Sequence, residues 1–373
     1  MGRHNLYILM RKTDVRLGFA LALLLAVCSA CALWACTPSS EKSEHTASTP
    51  AGPLAPLPPD GLTAWIADWD LDRGMAEWKA HPGLFDSVRV FAAYFNQQDE
   101  PYLSPQWSNL LGDDVRHTFG STPVFLTVVN DLSTPSGKGN KLKDPELVQR
   151  LVSSPEARAK HIEALLALVR RHRFQGLEID YENVTPSVWP EFLVFVRELY
   201  QRTQAEGVSL AVLLQPQRRY LETALPVGPS YVLMGYNLFG FHSGPGPKAT
   251  PKFLAEQADA LRNLGVLDVT RLALATGGFD WTAPRAAKQL GEAEASSLLA
   301  KQKAATSRDA DNGYLVSHYT DGKGQRHDVW HADAQTFATL WRAAQSAGFS
   351  RLAIWRLGGN SPALFDWLAT LKH

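Results

Sequence analysis

The segment from Phe174 to Val184, FQGLEIDYENV, sets Glu178, Asp180 and Glu182 two residues apart in a run whose other members include Leu177, Ile179 and Tyr181. Along an extended strand successive side chains alternate faces, so the three carboxyl groups share one face and the apolar residues take the other. Acidic residues are disfavoured in strands, and like charges side by side in a partly dry place repel. The relief is a proton: at least one of the three stays protonated at neutral pH, with a raised pKa. A protonated carboxylic acid held beside an ionised one is what cleavage of a glycosidic bond requires. Two other readings stay open at this point. An edge strand with one wet face would also alternate, and clustered carboxylates also suit Mg²⁺ or Ca²⁺. No nearby His or second acidic cluster completes a ligand set, so no metal and no cofactor are expected.

The elements that must position these groups follow from hydrophobic patterning. Strand-like apolar runs recur at Leu62 to Trp69, Val88 to Phe95, Val124 to Val129, Gly176 to Glu182, Ser209 to Leu214, Tyr231 to Tyr236, Leu272 to Thr276 and Leu352 to Leu357. Between them lie segments of helical period. In Glu156 to Arg171, for example, Ile162, Leu165, Leu166, Leu168 and Val169 line one face and leave the charges on another. Eight strands alternating with helices predict an α/β fold, a (β/α)8 TIM barrel with mostly right-handed crossovers. The interval between the seventh and eighth runs is longer than one helix needs. It contains GYLVSHYTDGKGQRHDVW (Gly313 to Trp330), whose alternation on either side of Asp321, Gly322, Lys323 and Gly324 reads as a β-hairpin. A small hairpin-containing insertion between strands seven and eight is therefore expected to wall a groove at the top of the barrel.

Composition narrows the partners. Lys plus Arg and Asp plus Glu both number 37, so the formal net charge is zero and nothing favours nucleic acid. The 11 Trp are many, and flat aromatic faces suit stacking on sugar rings, though most could equally be core. All three cysteines, Cys28, Cys31 and Cys36, lie near the N-terminus, which excludes a disulfide framework in the folded part. They fall in or just after the apolar run Leu17 to Trp34, itself preceded by Arg11, Lys12 and Arg16, the layout of an export signal. The string Leu33, Trp34, Ala35, Cys36 resembles a bacterial lipobox, which implies cleavage before Cys36 and its lipidation; an uncleaved anchor is the alternative. Residues 37–59 are rich in Ser, Thr, Pro and Ala and read as a spacer. The expected organisation is thus an anchor over 1–36, a linker over 37–59 and a barrel over 60–373, held at the cell envelope outside the cytoplasm through its lipid.

At the end of the fourth strand, Gln175, Gly176, Leu177, Glu178, Ile179, Asp180, Tyr181 and Glu182 resemble the DGxDxDxE motif of glycoside hydrolase family 18, with Gln175 and Glu178 in place of its first two aspartates. Met234, Gly235, Tyr236 and Asn237 are similar to that family's M-x-Y-D, with Asn for Asp. SGPGP (Ser243 to Pro247), GGFDW (Gly277 to Trp281), HDVWHAD (His327 to Asp333) and AIWRLGG (Ala353 to Gly359) resemble, in order, motifs of its spore-germination and cortex-lytic branch.

The resemblance implies a substrate-assisted, retaining glycosidase acting next to N-acetylglucosamine in peptidoglycan or a chitin-like glycan. Under it, Glu182 is the proton donor, Asp180 steadies the 2-acetamido group and Tyr236 orients its oxygen. Trp355 floors the sugar site, and Glu178, Gln215 and Asn237 line it; Glu178, with one methylene more than the motif's Asp, is expected to re-register its hydrogen bond to Asp180 and keep the relay. A non-hydrolytic carbohydrate-binding lipoprotein on the same barrel is the alternative, because Glu178 and Asn237 depart from the motif.

Overall fold

The computed structural model describes residues 54–133, 140–283 and 286–372. Cys36, the anchor over 1–36 and most of the linker lie outside these residues. All eight apolar runs form strands. In chain order the strands are β1 (Leu62–Ala67), β2 (Ser87–Phe95), β3 (Pro101–Leu103), β4 (Val124–Leu132), β5 (Gly176–Asp180), β6 (Ser209–Leu214), β7 (Ser230–Met234), β8 (Thr270–Leu274), β9 (Gly277–Ala283), β10 (Ala286–Leu290), β11 (Thr306–Arg308), β12 (Leu315–Thr320), β13 (Arg326–Ala332) and β14 (Arg351–Ile354). Eight of them pair in parallel in the order β1-β14-β8-β7-β6-β5-β4-β2, and β1 also pairs with β2, so the sheet closes on itself. Short β3 returns antiparallel along the edge of β2.

Helices stand between the barrel strands, and their starts are written locally. Asp144, Ser154 and Thr250 each accept a backbone N–H of the first turn, and each is followed by a proline whose missing N–H costs nothing there. The helix Pro155–His172 buries Ile162, Leu165, Leu166 and Val169 against the barrel wall. That shell, between helices and barrel, also takes Leu177, Ile179 and Tyr181. The barrel interior is a separate cluster containing Trp65, Phe91, Val129, Ala211, Ala273 and Ala353. Its small alanines leave room for the large groups that enter from neighbouring strands.

Two expectations need correction. The insertion is larger than a hairpin: β9 to β13 form a five-stranded antiparallel sheet ordered β10-β9-β13-β12-β11, with the helix Glu292–Gln302 between β10 and β11. The hairpin β12–β13 is present, paired from Leu315 opposite His331 to Thr320 opposite Arg326. Gly277 to Trp281 opens this second sheet. Gly277 has φ +63°, and a Cβ there would lie 2.3 Å from the Leu290 carbonyl oxygen, so only glycine lets the chain leave the barrel at this point. The linker boundary also moves. Leu54 and Leu57 pack on the core, the Leu57 N–H donates to the Leu371 carbonyl at 2.9 Å, and Gln345 donates to the Ala55 carbonyl at 2.8 Å. Residues 54–59 therefore belong to the folded body, because two leucines there find apolar partners.

Candidate active site

Several runs read as strand continue past the point where pairing stops. Trp69, Glu182, Tyr236 and Trp355 all lie just beyond the C-terminal ends of β1, β5, β7 and β14, the end at which barrels of this kind carry their chemistry. Strand alternation holds where it matters. Glu178 and Asp180 point inward and are almost wholly buried, while Leu177 and Ile179 face the helices.

Glu178 sits below the cavity. Its Oε1 accepts from Trp65 Nε1 and Thr127 Oγ1, both at 2.7 Å, and its Oε2 pairs with the buried Arg89 guanidinium. Arg89 in turn lies 4.5 Å from the Phe125 ring centroid. The extra methylene of Glu relative to Asp is used to reach these three donors. Glu178 does not line either cavity described below and makes none of these bonds to Asp180, so the expected relay and sugar contact are absent; it acts on Asp180 through its charge alone.

Asp180 is the carboxyl that keeps its proton. Burial first, and then the Glu182, Glu178 and Asp131 charges, push it up to about 8 against the pull of Lys143. Its Oδ1 is buried with no hydrogen-bond partner. Lys143, which no motif announces, supplies the positive charge of the cluster. Its Nζ lies 3.0 Å from Glu182 Oε1, 3.5 Å from Asp180 Oδ2 and 3.9 Å from Asp131 Oδ1. Burial opposes its charge, but the three acidic groups together outweigh it and hold its pKa above the usual lysine value.

Glu182 is fixed from both sides. Its backbone N–H donates to Asn130 Oδ1 at 2.9 Å, its carbonyl accepts from Asn130 Nδ2 at 3.0 Å, and its Oε2 accepts from Gln215 Nε2 at 3.0 Å. Gln215 also accepts the Asn183 N–H at 2.9 Å, so this amide at the end of β6 aims the Glu182 carboxyl. Tyr236 is buried, and burial followed by the Asp180, Glu182 and Glu178 charges raises its phenol well above the ordinary value. It therefore stays a hydroxyl. Its ring lies parallel to Trp355, 10° between planes and 6.0 Å between centroids, and Trp355 rests edge-on against Trp65 and Phe91.

Two adjoining cavities of about 650 and about 840 Å³ share Glu182, Tyr236, Asn237, Phe241, Gln289 and Trp355. Asp180, Lys143 and Asp131 line the larger; Gln215 and Lys248 line the smaller. At the rim Trp69 is 56% and Phe241 59% exposed, unusual for rings with nothing to cover them and suited to stacking on a ligand. The remaining acids of the larger cavity are engaged: Asp68 accepts from Tyr94 OH at 2.8 Å, and Asp131 accepts the Lys143 backbone N–H at 2.7 Å. Gln289 comes from the inserted sheet, which thus does wall the groove.

Patterning alone missed Lys143, Asn130, Asp131, Trp69, Asp68, Tyr94 and Lys248. Trp69, Asp68, Asn130 and Asp131 lie at or just past the C-terminal ends of β1 and β4, and position in a barrel is the signal that could have found them. Lys143 and Lys248 carry no such mark.

No protein-family model matches the chain. It is 20% identical over 242 residues to the uncharacterized glycosylase YvbX of Bacillus subtilis, covering 61% of this chain and 70% of that protein. It is 22% identical over 248 residues to the cortical fragment-lytic enzyme of the same organism, covering 61% of this chain but only 56% of that one. The crystal structure of a chitinase from Chromobacterium violaceum superposes with a TM-score of 0.70 at 19% identity, covering 84% of this chain and 98% of that one. At such identity the superposition speaks for the barrel fold.

Proposed function

We propose that this chain, a glycoside hydrolase, cleaves β-1,4 bonds next to N-acetylglucosamine in peptidoglycan or a chitin-like glycan, with retention and with help from the substrate's own 2-acetamido group. The observation that carries the reading is the joint placement of Glu182, Asp180 and Tyr236 around one cavity floored by Trp355. The one proton that Asp180 and Glu182 hold between them passes from Glu182, within reach of Lys143 and Gln215, to the departing oxygen, and Glu182 then takes one from water. Asp180, ionised as that proton leaves the pair, offers a buried, unpartnered oxygen to the acetamido N–H. Tyr236, held as a hydroxyl, donates to the acetamido oxygen and turns it toward the anomeric carbon. Bond making by that oxygen and bond breaking at the glycosidic oxygen balance without a protein nucleophile. The other acids of the cavity, Asp68 and Asp131, are already engaged by Tyr94 and Lys143. In the same reading the barrel is tethered outside the cytoplasm through a lipid on Cys36, beside envelope glycans.

The test is incubation of residues 54–373 with muropeptides and with chitooligosaccharides, products being read by mass spectrometry and anomeric configuration by NMR. Release of fragments with retained configuration is expected, and Glu182→Gln should lower the rate by about 10² to 10⁴ while leaving the fold intact, the scale of a lost general acid. An inverted product or a trapped glycosyl ester on any Asp or Glu would refute the mechanism. Binding without turnover would leave a carbohydrate-binding protein.

A further inference from the structure

Lys248 is a buried cation for which the described residues provide no anion. It sits in the turn between β7 and the helix Pro251–Asn263 and is 5% exposed. Its ammonium donates to the Thr276 carbonyl at 3.0 Å and lies 5.7 Å from the Phe279 ring centroid. Among the described residues no carboxylate pairs with it, and the charge felt most nearby is another cation, Arg356, already bound to Asp70. Burial and Arg356 together lower its pKa to about 8. An ammonium has three donors, so two remain. A buried charge left unpaired is costly to keep. Lys143, by contrast, has three acidic side chains around it.

What distinguishes Lys248 from a structural lysine is where it stands. It lines the smaller cavity together with Glu182, Gln215 and Asn237. A substrate spanning the scissile position beside Glu182 extends into this cavity, and the group that would complete Lys248 is an anion on that substrate.

We propose that Lys248 selects glycans bearing a carboxylate on a sugar adjoining the scissile bond, over neutral chains of N-acetylglucosamine. The inference rests on the glycosidase reading above and deepens it: it names an acidic amino-sugar polymer as the preferred substrate class. The carboxylate can come from a lactyl ether on the sugar or from a uronic acid, and the two sources share the same chemistry at Lys248. Recognition is local, in keeping with a chain of zero net charge.

The experiment compares the wild-type barrel with Lys248→Met and Lys248→Arg on matched oligosaccharides. These are a lactyl-ether glycan freed of peptide, the same glycan with its carboxyl reduced to an alcohol, a uronate-containing glycan of N-acetylglucosamine, and a chitooligosaccharide. The readouts are the kcat/KM ratio of each acidic glycan to its neutral counterpart and, separately, the ratio of dissociation constants by calorimetry.

In the wild type the acidic glycan is expected to win by about tenfold or more, the scale of a charge-assisted hydrogen bond. Lys248→Met should bring the ratio close to one, and Lys248→Arg should restore most of it. The glycan that loses its advantage in Lys248→Met identifies the carboxylate source. If Lys248→Met does not fold, Lys248→Gln, which retains a donor for Thr276, gives the same readout. A wild type that cleaves acidic and neutral glycans alike, or an acidic preference unchanged in Lys248→Met, overturns this inference and leaves the glycosidase reading standing. Carboxylate-dependent binding lost in Lys248→Met, with no turnover on any glycan, does the reverse.

Discussion

At the scale of single residues, the proton on Asp180 makes the clearest pH prediction. Its folded pKa of about 8 lies above the ordinary 3.8, so between those values the folded chain holds a proton that the unfolded chain has released. Stability then falls as pH rises from about 4 to about 8 and levels off above, at a slope of at most about 1.4 kcal/mol per pH unit. Lys143 has a raised pKa as well, but its contribution is complete below the ordinary lysine value of 10.5 and lies outside this window. Asp180→Asn should therefore gain on the wild type as pH rises. Urea melts at about pH 5 and about pH 9 check it, and parallel curves for the two proteins would contradict the buried proton. The same substitution should slow turnover.

Among the elements, β4 and β5 must be locked at their ends for the acid to be aimed. Asn130 near the end of β4 is fully buried, and its amide ties the Glu182 N–H and carbonyl to the Asp144 carbonyl, the residue beside Lys143. One side chain thus sets the backbone carrying the proton donor and the backbone carrying its counter-charge. Asn130→Ala strands those groups and should cost about 1–3 kcal/mol of stability. A kcat loss larger than the KM change would accompany it, because Glu182 and Lys143 would no longer be held in register. Denaturant titration and steady-state kinetics together report this. A variant with normal kcat would show that Asn130 serves the fold alone.

For the whole molecule, the N-terminal approach to the barrel is part of its stability. Starting the chain at residue 60 removes the packing of Leu54 and Leu57 and the bond from Leu57 to Leu371. Against a chain starting at 54, a loss of about 1–3 kcal/mol is expected for two partly buried leucines, visible as a lower melting temperature with cooperativity retained. Cys36→Ser in the full chain should shift the protein from the membrane to the soluble fraction or leave it unprocessed. A lipid-labelled product unchanged by that substitution would sink the anchor proposal.

Local chemistry was sufficient for much of this protein. Alternation along Gly176 to Glu182 needs only extended backbone, so the shared face of Glu178 and Asp180 could be read directly, as could eight strands from eight apolar runs and the hairpin from its turn residues. Side-chain partners could not. Arg89, Trp65 and Thr127 are separated from Glu178 by 89, 113 and 51 positions, and no spacing rule spans such distances. Only barrel closure makes them neighbours, turning an expected relay into a buried ion pair and leaving Asp180 to carry the proton. Lys143 likewise joins the carboxylates through a turn that lies far from them in sequence. Nor could patterning show that Lys248, one charge among 37 Lys and Arg residues, is buried at the wall of the site with no acid beside it among the described residues, because the cost of a buried charge exists only once the surrounding chain has excluded water.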